Sequence, residues 1–524
     1  MTNNPWASEE AKSWKLIDGR RYSGPSTLEF DVVVIGSGAG GGIAAEELAK
    51  AGFNVGIIED GSLNTSADFG KNEADSYSRL YHDSGSRMTA DKGIALFQGR
   101  GVGGSTVVNW TSSFHLPDPT LKHWQDNFGV NWNKSELNDH TRIVEERLGI
   151  ELWALPPNRN NEMIETGLNN LGYHPKRIPR NVKHCLNLGY CGLGCPVNAK
   201  QSMLVTTIPE ALRLGSTLIY NSFALKFHFA AGSVQALECH PSLGNGEINH
   251  QPLMIKAKHF VLSGGAVGSP SLLLRSHAPD PYGRLGLATT LHPTVISGGI
   301  YDEKIFGFQG APQSVYSDDF LSADDLTKVP GFKIEAAPVF PLLLSALLPA
   351  RAEEHREIMS NMTSVQGSIA LIRDGFHRDA PGGTVSINSA GRPVIDYPWS
   401  KTLEKSALQA LETMAEYQFA SGAEKVYPLH ADATSCTKLS DVKRMLGNLS
   451  MRAPGLRIVS AHAMGGCGMG DERSGVVDSM GKHHQLDNLT VCDGSIFPTS
   501  LGTNPQLTIY ATAHMIGKHV ATLL

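Results

Sequence analysis

The stretch from Phe30 to Gly61, FDVVVIGSGAGGGIAAEELAKAGFNVGIIEDG, constrains this chain more than any other. Phe30 to Ile35 is a short apolar run rich in β-branched residues, which reads as a strand buried in a parallel sheet. Gly36, Gly38 and Gly41 follow at G-x-G-x-x-G spacing, with Ala39 between them. A helix of small residues from Gly42 to Ala51 comes next, then a second strand, Val55 to Ile58, ending in Glu59. The first glycine permits a tight turn, the second lets a pyrophosphate approach the backbone, and the third lets helix and strand pack closely. The helix start offers free N–H groups and a positive dipole end to phosphates. Glu59 stands where a carboxylate accepts both ribose hydroxyls of an adenosine and repels a 2′-phosphate. The stretch therefore predicts a dinucleotide other than NADP.

At 524 residues the chain is too long for one core, so two or three domains are expected. A net charge of −6, with no long basic run, gives no reason to expect nucleic acid. The first fifteen residues lack the apolar core of a secretory signal, and no window approaches the ~18 apolar residues of a membrane-spanning helix. Seven cysteines, odd in number and unevenly spaced, do not resemble a disulfide framework. A reducing, cytoplasmic setting is the simpler reading.

Further along, residues 62–92 read as a long loop. Gly99, Gly101, Gly103 and Gly104, followed by Ser105, Thr106 and Asn109, form a second place where backbone can approach a ligand, or else a surface loop. Residues 116–180, with three tryptophans, read as a separate cap. Cys185, Cys191 and Cys195 fall within eleven positions. They are either ligands of an iron–sulfur cluster or thiols that merely pack. Gln251 to Gly265 reads as a hairpin strand followed by a buried strand. Pro338 to Ala350, PVFPLLLSALLPA, is too short to span a membrane. It reads as a core helix, an apolar channel wall or a membrane-surface contact. Asp493, at the end of the strand Leu489 to Cys492, is a second candidate for binding a sugar.

Four blocks in this order carry a resemblance: the opening glycine motif with Glu59, GRGVGGSTVVN, GAVGSPSLLLRS, and HAMGGCGMG with its VCDGSIFPTSLGTNPQLTI ending. Together they resemble the GMC (glucose–methanol–choline) flavin oxidoreductases. CGLGCPVNAKQS, PVFPLLLSALLP and ALIRDG are similar to the long-chain fatty alcohol oxidase branch, although this chain is shorter than the plant-type members. The resemblance implies an α/β fold, in which a Rossmann-like FAD-binding domain carries an inserted α+β substrate domain with an antiparallel sheet. The implied division gives 1–115, 196–285 and 451–524 to the FAD domain, and 116–195 with 286–450 to the cap.

The resemblance further implies FAD contacts at Gly36, Gly38, Ala39, Gly41 and Glu59. It implies others at Arg100, Gly101, Gly104, Ser105, Asn109 and Ala224, and at Asp493, Gly494, Asn504, Pro505 and Gln506. His462 matches the family's active-site histidine and is expected to act as the base that takes the hydroxyl proton of an alcohol as its hydride leaves. Asn504 stands at the second active-site position, where it can orient the substrate oxygen but cannot be a base. Val108 stands where some members attach FAD to a histidine, so non-covalent FAD is expected. The implied partners are a long or bulky apolar alcohol and O2 or another electron acceptor. Two alternatives stay open at this point: a dehydrogenase with a three-cysteine electron exit, and a non-redox flavin lyase. Nothing in the sequence bears on oligomeric state.

Overall fold

The computed structural model describes residues 4–70, 72–244, 247–321, 329–349 and 352–524. Its first layer is a sheet in which Thr27–Ile35 lies between Val55–Ile58 and Leu253–Leu262, parallel to both. Thr217–Tyr220 extends this parallel set beyond Val55–Ile58, and Lys15–Asp18 extends it once more. Leu489–Val491 pairs parallel with the end of Leu253–Leu262. Segments from the start, middle and end of the chain thus build one sheet. Val32, Val33, Val34 and Ile57 are wholly buried, as expected of parallel strands covered on both faces. An antiparallel pair, Ser222–Ala230 and Ser233–Gly244, completes the far edge.

The opening helix, Ala39–Lys50, begins three residues earlier than its sequence suggests, with Gly38 as its N-cap and Gly40 and Gly41 inside it. It packs on the closing helix, Gln506–Leu523. Small residues meet there: a Cβ added at Gly517 would lie 3.3 Å from the Cα of Ala44.

The second layer is a largely antiparallel sheet built around Thr294–Ile300, Val365–Ile372 and Phe332–Ala336. Helices Arg159–Asn170 and Lys401–Ala420 pack against it. Its core is separate from the first. Packing does not follow the chain division read from the sequence at every point. Helices Asp118–Phe128 and Lys134–Leu148 bury Leu121, Trp124, Val144 and Leu148 in the first core. Trp124 donates from Nε1 to Thr499 Oγ1 at 2.7 Å, and Trp132 donates to the carbonyl of Ser479 at 2.6 Å. Conversely, Ile94, Leu96 and Ile458 pack in the second core.

Three local expectations are corrected. Residues 62–92 include a helix, Glu73–Leu80, whose polar sequence hides its two buried positions, Ser76 and Leu80. The stretch after Gln251 is one continuous strand, Leu253–Leu262, rather than a hairpin. The apolar run from Pro338 forms a short helix, Pro341–Leu347, with no buried residue, so it is not a core helix. Ala350, the last residue of that run, lies outside the described residues. Among the described residues, no helix is long and apolar enough to cross a membrane.

Candidate active site

A cavity of about 1140 Å³ runs from the opening glycine turn to the C-terminal segment. At its first end, Gly36 has φ of 97°, and a Cβ there would lie 2.2 Å from the carbonyl oxygen of Ser263. Only glycine fits. Gly38 differs. Its Cβ would meet nothing closer than the Cα of Gly104, at 3.8 Å, because that side of the backbone faces the cavity. Two bare backbones, Gly38 and Gly104, thus form the floor of a cradle at the N-terminus of the opening helix. Gly41 meets Gly36 and Ser263, which is the close packing its position predicts. Gly40, not singled out by the sequence, is as constrained: a Cβ there would fall 1.8 Å from the carbonyl oxygen of Cys492.

Glu59 is buried at the cavity wall. Its Oε2 accepts from Ser37 N at 3.2 Å and Ser37 Oγ at 2.6 Å, and its Oε1 accepts from Gly61 N at 2.9 Å. Burial raises its pKa above the usual carboxylate range, against these hydrogen bonds. A carboxylate has about four acceptor sites, so capacity remains for hydroxyls of a ligand. Arg100 also lines the cavity; its Nε and Nη2 donate to Asp60, at 2.7 and 3.2 Å, and Nη2 donates to Ser242 Oγ at 2.6 Å. Gly101 does not line the main cavity; it packs on Gly61 and Ser62.

Along the middle, Ala39, Gly104, Ser105, Asn109 and Ala224 all line the wall. Ser105 Oγ accepts from Gly99 N at 2.9 Å, and the carbonyl of Ala224 accepts from Arg275 Nη2 at 3.2 Å. Asp493 is buried and bonded within the protein. Its Oδ2 accepts from Gly265 N and Ser269 Oγ, and its Oδ1 accepts from Ser495 N. It fixes the start of helix Gly265–Arg275 at the cavity and, like Glu59, keeps acceptor capacity beyond these three hydrogen bonds. Gly494 lines the wall beside it.

At the far end, His462, Asn504, Pro505 and Gln506 converge on the same cavity. Gln506 is held on both sides: Oε1 accepts from Asn109 and Tyr510, while Nε2 donates to the carbonyl of Ser112 and to Ser113 Oγ. Asn504 accepts at Oδ1 from Lys333 Nζ at 3.1 Å and donates from Nδ2 to Glu335 at 3.3 Å. Lys333 and Glu335, which sequence reasoning missed, form a buried ion pair at 3.1 Å. The Lys333 ammonium also sits over the ring of Phe114. Burial lowers its pKa to about 8, opposed by Glu335. His462 is packed edge-on against His292, also missed, with 3.0 Å between their Nδ1 atoms. Burial first, then Lys333, lowers the pKa of His462 to about 3.

Removing one partner of a buried ion pair strands the other charge, at about 3–5 kcal/mol. Lys333→Met should therefore lower stability by about that amount and loosen Asn504, as read by chemical denaturation. An unchanged midpoint would show that Glu335 is not carrying a charge there.

The three cysteines of the 185–195 loop are free and half-buried. Cys191 Sγ accepts from Arg180 at 3.5 Å, and Cys185 Sγ accepts from Asn187 N at 3.4 Å. Among the described residues, no three His, Cys, Asp or Glu side chains converge to hold a metal ion.

The donor set and the bare-backbone cradle fit a dinucleotide with its diphosphate over Gly38 and Gly104. GMC oxidoreductase models match residues 77–294 and 379–513. A long-chain-alcohol oxidase of Arabidopsis thaliana, FAO1, is 28% identical over 525 residues, covering 95% of this chain and 67% of the relative. The fold is similar to that of formate oxidase from Aspergillus oryzae, with a TM-score of 0.71, 15% identity, and 95% and 99% of the two chains covered. It is also similar to pyridoxine 4-oxidase from Mesorbium loti, with a TM-score of 0.67, 18% identity, and 93% and 98% covered. The chain belongs to the GMC oxidoreductase family and is an FAD-dependent oxidoreductase acting on alcohols or similar donors.

Proposed function

We propose that the protein oxidises a long-chain or bulky apolar alcohol to the aldehyde or ketone, with His462 as the base at the substrate hydroxyl. The observation that carries this reading is the convergence of His462 and Asn504 on a cavity whose outer wall is apolar. Phe340, Leu343 and Leu347 supply that wall. The similarity to long-chain-alcohol oxidases supports the same substrate class. FAD, held by the glycine cradle, Glu59 and the start of the closing helix, supplies the hydride acceptor when bound.

The chain's own residues bind and orient the alcohol and move its proton. The Lys333–Glu335 pair fixes the Asn504 amide, so that Asn504 orients the substrate oxygen at little entropic cost. His462 is uncharged at neutral pH because burial keeps it so, and an uncharged imidazole can accept the hydroxyl proton. The imidazolium formed there would face the Lys333 charge, which favours passing the proton on. O2 is the acceptor we favour for the return half of the cycle, by analogy with the oxidases above. Val108, in place of a linking histidine, supports non-covalent FAD. Helix Pro341–Leu347 turns Leu342 and Ala346 outward while Leu343 and Leu347 line the cavity, which supports a membrane-surface contact by 338–350.

The test is anaerobic bleaching of the flavin by alcohols from ethanol to long chains and sterols, followed by acid precipitation. Bleaching that strengthens with chain length, and yellow colour left in the supernatant, are expected. Bleaching by short polar alcohols alone would overturn the substrate class, and a yellow pellet would overturn non-covalent binding. The long alcohols are presented both in detergent and in vesicles; equal rates from both count against the membrane contact.

A further inference from the structure

His292 lies outside the cavity wall, just ahead of strand Thr294–Ile300, and is 1% exposed. Its Nε2 accepts the backbone N–H of Gly502 at 3.2 Å. Its Nδ1 lies 3.0 Å from Nδ1 of His462, with the two rings nearly perpendicular. Turning the His292 ring over would put carbon in place of both nitrogens, and turning His462 over would lose their mutual contact. Both ring orientations are therefore fixed by their partners.

The proton positions follow. A backbone N–H can only donate, so Nε2 of His292 is bare. Both imidazoles are uncharged. Burial holds His292 well below the ordinary histidine range, assisted by His462 and by the Lys333 and Arg373 cations. A neutral His292 with a bare Nε2 carries its proton on Nδ1 and gives it to Nδ1 of His462. The proton of His462 is then on Nε2, the ring nitrogen that His292 does not engage.

We propose that His292 is a positioning residue that, held by the Gly502 N–H, sets the resting proton of His462 on Nε2. The consequence rests on the reading of His462 as base. An imidazole protonated on Nε2 has no lone pair there to take a hydroxyl proton. To become a base at Nε2, His462 must move its proton to Nδ1 and donate it to Nδ1 of His292. The His292 proton must then move to Nε2, where it opposes the Gly502 N–H. The exchange neither gains nor loses a proton, but it breaks one hydrogen bond. The site rests in the tautomer that does not react, and His292 with Gly502 sets how often it leaves it. The sequence holds no local sign of this, because the three residues come from three distant segments.

The test uses holoenzyme labelled with 15N in its imidazoles, with His462 assigned by the signals lost in His462→Gln. In the wild type without substrate, the proton is expected on Nε2 of His462, with Nδ1 bare. His292→Asp replaces the donor with an acceptor and should move the proton to Nδ1. Flavin reduction by an alcohol should then speed up about tenfold, the worth of one hydrogen bond, with KM unchanged. A wild-type proton on Nδ1, or a variant proton still on Nε2, would overturn the proposal. If the variant loses flavin, the wild-type spectrum alone decides. The spectra need no turnover, so a failure of the alcohol-oxidation reading would appear separately, as bleaching by no alcohol in any variant.

Discussion

Replacing His462 by Ala is expected to leave flavin bound and to slow its reduction by an alcohol by roughly 10²- to 10⁴-fold, the usual worth of a positioned proton acceptor. The separation of the two effects comes from geometry. The glycine cradle, Glu59 and Asp493 lie on other segments, and none of their hydrogen bonds involves His462. Flavin absorbance should therefore persist while stopped-flow bleaching fails. The pH profile gives an independent sign. A histidine in water changes charge near its ordinary value of 6.5, but burial and Lys333 lower His462 to about 3. Lowering means that protonation, which removes the lone pair, sets in only far below neutrality. The reduction rate should therefore show no inflection near pH 6.5. Going up from neutrality, the first inflection is expected on approaching about 8, where Lys333 loses its charge. Wild-type bleaching by the Ala variant would remove His462 from the mechanism, and an inflection near 6.5 would show that the imidazole is wetter than its burial indicates.

Sequence reached some parts of this site and not others, for physical reasons. The opening turn was legible because its constraints are local: Gly36, Gly38 and Gly41 act within one strand–turn–helix. That the C-terminal segment with His462 and Asn504 belongs at the site was an expectation carried by a long motif, and the structure brings both residues to the cavity. Lys333 and Glu335 were not. In the strand Phe332–Ala336, FKIEA, alternation reads as Phe, Ile and Ala inward with Lys and Glu in solvent. Here both faces are buried, because the second face closes the cavity, and the two charges pair with each other instead of with water. His292 and Gly502 meet across more than two hundred residues, a distance no local pattern spans. Arg100 and Asp493 show the same limit. Both line the cavity, but the bonds that hold them within the protein, to Asp60 for one and from Gly265 with Ser269 for the other, join segments that no local pattern connects. The tryptophans at 124 and 132 suggested a separate cap. Their indole N–H groups found partners at Thr499 and Ser479, which ties those helices to the C-terminal segment.

Gly38→Val and Gly40→Val, two residues apart, should fail in different ways. At Gly38 the new side chain enters open cavity, with the nearest atom, the Cα of Gly104, at 3.8 Å from its Cβ. No protein atom lies closer than that to the new Cβ, so the fold should keep the stability of the flavin-free wild type to within about 0.5 kcal/mol. The branched side chain would occupy the space where a diphosphate must reach the backbone N–H groups at the helix start. Flavin should be lost, leaving colourless, folded protein. At Gly40 the Cβ alone would lie 1.8 Å from the carbonyl oxygen of Cys492, a backbone atom of the strand end that leads to Asp493. Backbone cannot swing aside as a side-chain tip can. Either the opening helix lifts from the sheet or Leu489–Val491 shifts along Leu253–Leu262. Overpacking of this kind costs about 1–3 kcal/mol even where side chains can give, and more where they cannot. Gly40→Val should therefore lose folded yield or unfold several degrees lower, with flavin loss as a consequence. Circular dichroism melts beside flavin content separate the two. If Gly38→Val stays yellow, the diphosphate does not lie over that cradle. If Gly40→Val melts like the wild type, the contact between the opening helix and Cys492 is looser than the structure has it. On the expected results, the glycine that the dinucleotide motif names governs the ligand, and the one it passes over governs how the chain's two ends join.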